Sequence, residues 1–188
     1  MTGVTEDIAT RYHRVADGFG ERVGAVPDGG WDLPAPCEGW VARDVVAHLV
    51  DWIPAFVEAA GGPPLPGGPS VVADPAGAWA ALDAGIRALL ADPAVAAAEI
   101  THPMAGSHRV DEIVEQFFLG DILVHTWDLA RAVGLDERLD PTAVHDLLTG
   151  MEPLDEVLRA SGHFGPKVEV PSDADEQTRL IAFTGRHP

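Results

Sequence analysis

The chain has 188 residues, and its 30 acidic and 12 basic residues give a formal net charge of −18. Such a charge repels phosphate backbones and anionic lipid, so neither nucleic acid nor a membrane is an expected partner. No apolar run reaches the roughly 20 residues of a membrane span, the N-terminus has no apolar signal core, and Cys37 has no partner for a disulfide. We therefore expect a cytoplasmic protein.

The first half of the chain predicts three helices. Apolar residues spaced three or four apart predict helices over residues 5–24 and 41–60. After a stretch rich in Gly and Pro, Asp74 followed by Pro75 is typical of a helix N-cap with proline at the first helical position. This signal predicts a third helix over 75–90.

The second half predicts a fourth helix and a C-terminal extension. The longest periodic run predicts a helix over 108–133, with Gly134 as its C-terminal stop. The extension covers 141–188, where Ser172 and Asp175 form a candidate capping box and residues 167–170 a candidate extended piece. Because no alternating series of strands is present, we predict an all-α fold: one four-helix bundle domain over 1–188 with short C-terminal additions.

Three polar side chains occupy positions where the helical period calls for apolar residues: His48 on the second helix, and Asp121 and His125 one turn apart on the fourth. An unpaired carboxylate there would cost several kcal/mol, so these groups need either each other or a cation. Two imidazoles and one carboxylate are a common site for Zn²⁺, Fe²⁺ or Ni²⁺, with positions left open for water or substrate. The spacing itself is compatible with a metal site and with a hydrogen-bonded cluster.

Two segments around these residues resemble segments of a known protein family. The sequences APCEGWVARDVVAHLVDW at 35–52 and GDILVHTWDLARAVG at 120–134 resemble the signature segments of the DinB-like bundles related to mycothiol-dependent maleylpyruvate isomerase, above all their short actinobacterial members. The resemblance implies a four-helix bundle that binds a divalent metal, here through His48, Asp121 and His125. It also implies mycothiol as the cosubstrate. For the metal, the donor set makes Zn the first candidate, with Ni or Fe as alternatives.

The resemblance also shows departures. The isomerase is longer, and its additional C-terminal domain contributes to the active site. Asp121 stands where the isomerase has Glu, and Val41 stands where related sequences tend to have a Thr helix cap.

Other residues near the two segments have two interpretations each. Asp128 can accept the His125 ring N–H that faces away from a metal, or can be a solvated acid. Trp40, Trp52 and Trp127 can line a pocket or pack in the core. Cys37 is not expected to be a nucleophile, because no local cation in the sequence favours its thiolate.

Three functions need the same ligands. The first is a metal-dependent low-molecular-weight-thiol (mycothiol) S-transferase or isomerase, in which the metal activates thiol or water against an electrophilic substrate. The alternatives are a non-catalytic metal-binding bundle that serves as a stress or binding module, and a metallohydrolase. A homodimer is the candidate assembly.

Overall fold

The computed structural model describes residues 6–160 and 165–188. Its helices are α1 (Ile8–Gly24), α2 (Ala42–Ala59), α3 (Pro75–Ala91), α4 (Pro93–Ala96), α5 (Val110–Ile113), α6 (Leu119–Val133), α7 (Pro141–Met151), α8 (Asp155–Ala160) and α9 (Glu176–Phe183). A two-stranded antiparallel sheet joins β1 (Glu99–His102) to β2 (Gly106–Arg109). The predicted all-α fold class is confirmed.

Four long helices form the bundle. Helix α1 packs against α3 and α6, and α2 packs against the same two helices. Their inward faces form one apolar core, which includes the fully buried side chains of Tyr12, Phe19, Leu49, Ile53, Ile86, Phe118, Ile122 and Leu129. In the part of the chain that the structure describes, no helix is both long and apolar enough to cross a membrane.

Side-chain caps explain where several helices begin. Asp74 Oδ1 accepts a hydrogen bond from Gly77 N at 2.8 Å, and Asp140 Oδ1 accepts one from Ala143 N at 2.8 Å. Val41 has no side-chain acceptor for this purpose, and the start of α2 uses a different contact. There the Asp44 carboxylate accepts the Val41 backbone N–H at 2.9 Å.

The predicted start of the fourth helix at residue 108 is wrong. Residues 108 and 109 belong to β2, and the helix begins at Val110. In the hairpin, the backbone groups of these residues form hydrogen bonds between β1 and β2 instead of within a helix. Thr101 in β1 also donates its N–H to Ala60 O, at the end of α2, at 3.1 Å. Gly106, the first residue of β2 after the turn, has a positive φ of 85°.

The C-terminal extension differs from prediction in two details. Asp175 is itself the N-cap of α9 and accepts from Thr178 N at 2.7 Å, so the capping box with Ser172 is wrong. Residues 167–170 lie in no strand, although Val168 N donates to Ala182 O at 3.0 Å. Helix α7 packs against α9 and α6 and so connects the extension to the bundle.

Candidate metal centre

Helices α2 and α6 lie side by side and supply the predicted residues. His48 comes from α2, whereas Asp121 and His125 come from consecutive turns of α6. A π-helical turn over Val114–Phe118 directly precedes α6, where Leu119 N donates to Val114 O. Such turns add a residue to one turn of a helix and are frequent at functional sites.

The structure brings the three predicted residues together. His48 Nε2 lies 3.1 Å from Asp121 Oδ2, and His125 Nε2 lies 3.4 Å from Asp121 Oδ1. One donor atom from each residue can be chosen so that all three lie within 4.8 Å of one another. Two helices therefore direct two imidazoles and one carboxylate to one point.

The two shorter separations, which join different oxygens of Asp121 to the two imidazoles, are close to those between ligand atoms of a divalent ion. Neighbouring ligand atoms around a tetrahedral ion are about 3.3–3.4 Å apart when each bond is about 2.0–2.1 Å long. The His125 side chain is only 5 % exposed, whereas the side chains of His48 and Asp121 are 33 % and 29 % exposed. The cluster is therefore buried on the side of His125 and partly exposed to solvent on the side of His48 and Asp121.

Asp121 is ionised in this environment. Burial disfavours its charge, but hydrogen bonds with His125 and His48 outweigh burial and hold its pKa well below the usual range. Trp52 Nε1 also donates to Asp121 Oδ2 at 2.8 Å. The carboxylate thus has fixed donors and a fixed orientation.

His125 is the most constrained of the three. Burial disfavours its charged form, but hydrogen bonds with Asp121 and Asp128 outweigh burial and raise its pKa to about 9. Its Nδ1 lies 2.8 Å from Asp128 Oδ2, so Nε2 is the ring nitrogen that faces Asp121 and His48. Asp128 is fully buried, so it is not a solvated acid.

Sequence reasoning missed Arg186. The Arg186 side chain reaches Asp128 from the C-terminal segment, with Nε 2.8 Å from Oδ1 and Nη2 2.7 Å from Oδ2. The two residues are 58 positions apart, and no local pattern connects them.

The sequence offers no local cation beside Cys37, but the fold brings one from the C-terminal segment. Arg186 Nη2 lies 3.5 Å from Cys37 Sγ. Even so, burial and the Asp128 charge outweigh Arg186 and raise the pKa of the thiol to about 11. Cys37 therefore stays protonated near neutral pH. Its sulfur belongs to a second group of potential metal donors, with His125 and Asp128.

Two of the three predicted tryptophans border the cluster. The Trp40 ring is stacked on His125 with centroids 5.8 Å apart, and it lies 5.3 Å from the His48 ring. Trp52 lies 6.0 Å from His48. Trp127 is buried, and the Arg131 guanidinium lies over it, 4.5 Å from the centroid of the Trp127 ring. Trp127 is therefore a packing residue. Trp40 and Trp52 therefore form an aromatic wall beside the cluster.

Comparison with known proteins assigns the chain to a family. The chain is 28 % identical to two uncharacterized proteins of Mycobacterium tuberculosis, one from each of two strains, over 93 % of this chain and 95 % of theirs. No solved structure matches the chain significantly. The family described as mycothiol maleylpyruvate isomerase N-terminal domain matches residues 12–130, a range that contains His48, Asp121, His125 and Asp128. The chain belongs to this family.

Proposed function

We propose that this protein is a metal-dependent enzyme that activates a low-molecular-weight thiol, mycothiol, for transfer to an electrophile or for isomerisation of one. The proposed ligands of the divalent ion are His48, Asp121 and His125. Zn²⁺ is the first choice, because a tetrahedral site with nitrogen and oxygen ligands and one open position is typical of catalytic zinc. Ni²⁺ and Fe²⁺ are the alternatives.

One observation carries the proposal: donor atoms from α2 and α6 converge at 3.1 and 3.4 Å on the side of the bundle that is open to solvent. The family supports the thiol, because its description names mycothiol. The same contacts also satisfy the three side chains without a cation, so measurement of the metal is decisive.

The protein's residues have distinct roles in this proposal. A divalent ion at the site lowers the pKa of a bound thiol or water, so that thiolate or hydroxide is available near neutral pH. Asp128 holds the Nδ1 side of His125 and so orients its Nε2. Trp40 and Trp52 shield one side of the site from water and offer an apolar surface to the substrate. Because Cys37 is protonated, the reacting thiol is supplied from outside the chain.

The test is thiol transfer to monochlorobimane by zinc-loaded protein. In that reaction the sulfur–carbon bond forms, the carbon–chlorine bond breaks, chloride leaves with its electron pair, and the thiol proton passes to solvent. We expect turnover with mycothiol, little with glutathione, and none with His125→Ala. The control is His145→Ala, which removes an exposed histidine that lies 2.9 Å from Glu176 on the C-terminal extension.

Other outcomes would contradict the proposal. Equal turnover by wild type and His125→Ala would exclude catalysis at this site. Stoichiometric metal without any turnover would indicate a non-catalytic metal-binding bundle, and turnover of ester or amide substrates without thiol would indicate a metallohydrolase.

We also propose that the protein acts in the cytoplasm as a homodimer. The cytoplasm is where a reduced low-molecular-weight thiol is available. Fractionation of cells tests the compartment, and light scattering on the purified protein tests the dimer: a monomer at micromolar concentration would contradict it.

A further inference from the structure

The Asp128 carboxylate links the cluster to the C-terminal segment. On one side its Oδ2 lies 2.8 Å from His125 Nδ1. On the other side the carboxylate accepts three hydrogen bonds from the Arg186 guanidinium, one at Oδ1 and two at Oδ2. Asp128 is fully buried and the Arg186 side chain is 17 % exposed. A carboxylate this deep needs a charged donor, and the two-pronged guanidinium contact also fixes its rotation.

A turn at the end of α9 places Arg186. Arg186 N donates to Ile181 O at 3.2 Å and Gly185 N donates to Ala182 O at 3.0 Å, which is the hydrogen-bond pattern of a Schellman motif. Gly185 has a positive φ of 88°, as this motif requires, and a Cβ there would lie 3.2 Å from Pro166 O. The direction of Arg186 is therefore set by the backbone.

The rest of α9 is anchored in the core. Leu180 and Ile181 are fully buried, and Phe183 is nearly so. Gln177 connects the helix to the segment after α6, since its Oε1 accepts from Leu139 N at 2.8 Å and its Nε2 donates to Glu137 O at 3.0 Å. Arg186 thus extends from a fixed support towards Asp128.

We propose that Arg186 is a positioning residue for the metal centre, acting through Asp128 on His125. The guanidinium holds the carboxylate, the carboxylate holds Nδ1 of the imidazole, and Nε2 is thereby directed at the cluster. This inference rests on the proposed metal site. It also assigns a role to the C-terminal extension, because Arg186 lies beyond the family match at residues 12–130.

The test compares variants that separate the charge from its geometry. Arg186→Met removes the guanidinium but keeps an extended side chain, whereas Arg186→Lys keeps the charge with a single ammonium in place of the fork. The matched control is Arg87→Met, since Arg87 also pairs with two acids, Asp83 and Asp17, but on the α1–α3 side of the bundle. Dissociation constants and visible spectra are measured with Co²⁺ for every folded variant.

We expect Arg186→Met to weaken Co²⁺ binding about tenfold or more, the usual scale for a lost supporting partner. Arg186→Lys should fall between Arg186→Met and wild type, with a shifted Co²⁺ spectrum, and Arg87→Met should bind like wild type. In a double-mutant cycle, Arg186→Met should weaken Co²⁺ binding little further in a protein that already carries Asp128→Asn. The two substitutions remove the same contact. Wild-type affinity in Arg186→Met, or fully multiplicative losses in the double variant, would overturn the proposal. If Arg186→Met does not fold, Arg186→Lys replaces it: weaker Co²⁺ binding with a shifted spectrum supports the proposal, and wild-type affinity overturns it.

A second readout needs no metal. In the metal-free wild type, the His125 Nδ1 proton should give a downfield, slowly exchanging NMR resonance because Asp128 accepts it. Arg186→Met, or Arg186→Lys if Met does not fold, should shift or broaden that resonance, and an unchanged resonance would overturn the positioning role. If wild type binds no Co²⁺, the metal proposal fails, and the NMR result alone decides whether Arg186 orders His125.

Discussion

Two polar clusters lie between pairs of bundle helices, and they differ in the cations that neutralise their acids. Between α1 and α3, Tyr12 OH donates to Asp83 Oδ1 at 3.1 Å, and Arg87 pairs with Asp83 and Asp17. Between α2 and α6, the acid is Asp121 and its nearest basic partners are two histidines.

This difference decides what each cluster can do. A guanidinium is always charged and has no lone pair to offer, so the α1–α3 cluster is closed to a metal ion. An imidazole can lose its proton and coordinate, so the α2–α6 cluster can exchange a proton for a cation. A polar residue on an apolar stripe is therefore only a first indication of function, and the chemistry of its partner decides.

The largest expected effect is that of His48→Ala. The loss of one of three protein ligands should raise the metal dissociation constant about a hundredfold or more, at or above the upper end of the range for lost supporting partners. Competition with a chromophoric chelator measures the constant. Asp83→Asn in the α1–α3 cluster is the control and should bind within about twofold of wild type, since distant sites act independently. A similar loss in both variants would mean that the effect is a general one on folding.

Substitution of Asp121 should have a smaller and graded effect. Asp121→Ala should weaken metal binding at least about tenfold, whereas Asp121→Glu should keep the metal, because it retains a carboxylate with one more methylene. The same competition assay measures both variants. A loss with Glu equal to the loss with Ala would show that the carboxylate of Asp121 is not a ligand.

Tyr12→Phe should affect stability alone. Removal of the hydroxyl that donates to Asp83 should lower the free energy of unfolding by about 1 kcal/mol, the usual net contribution of such a hydrogen bond. Urea denaturation measures it. The metal dissociation constant should not change, and a change would show that the two clusters are energetically coupled.

The smallest effect is expected for Cys37→Ala. Since burial and Asp128 raise the pKa of this thiol to about 11, it contributes almost no thiolate near neutral pH, and turnover with mycothiol should stay within about twofold of wild type. Initial rates in the bimane assay check this. A loss of turnover beyond about tenfold would make Cys37 part of the reaction.

The long helices could be predicted because their apolar periods and caps are local signals. Asp74 and Asp140 cap the helices that they were predicted to begin. His48 lies beside the buried face of α2, with its side chain 33 % exposed. The β1–β2 hairpin escaped prediction because each strand has only four residues and depends on contacts with the end of α2. The π-helical turn before α6 carries no local sequence signal that we recognise.

In the candidate site, too, the residues with a local sequence signal could be predicted and those that depend on tertiary packing could not. His48, Asp121 and His125 could be found because they break a periodic pattern, and Asp128 because it follows His125 by three positions on the same helix. Arg186 could not be found, because its pairing with Asp128 depends on how α9 packs against the bundle. For the same reason the contact between Arg186 and Cys37 could not be predicted.

The most direct test of the central claim is the metal content of protein purified without chelator. Elemental analysis of wild type, His125→Ala and the exposed-site control His145→Ala compares samples prepared in the same way. The account predicts about one divalent ion per chain in wild type and in His145→Ala, and almost none in His125→Ala. Equal metal content in all three samples, or no metal in wild type even after incubation with Zn²⁺, would contradict it.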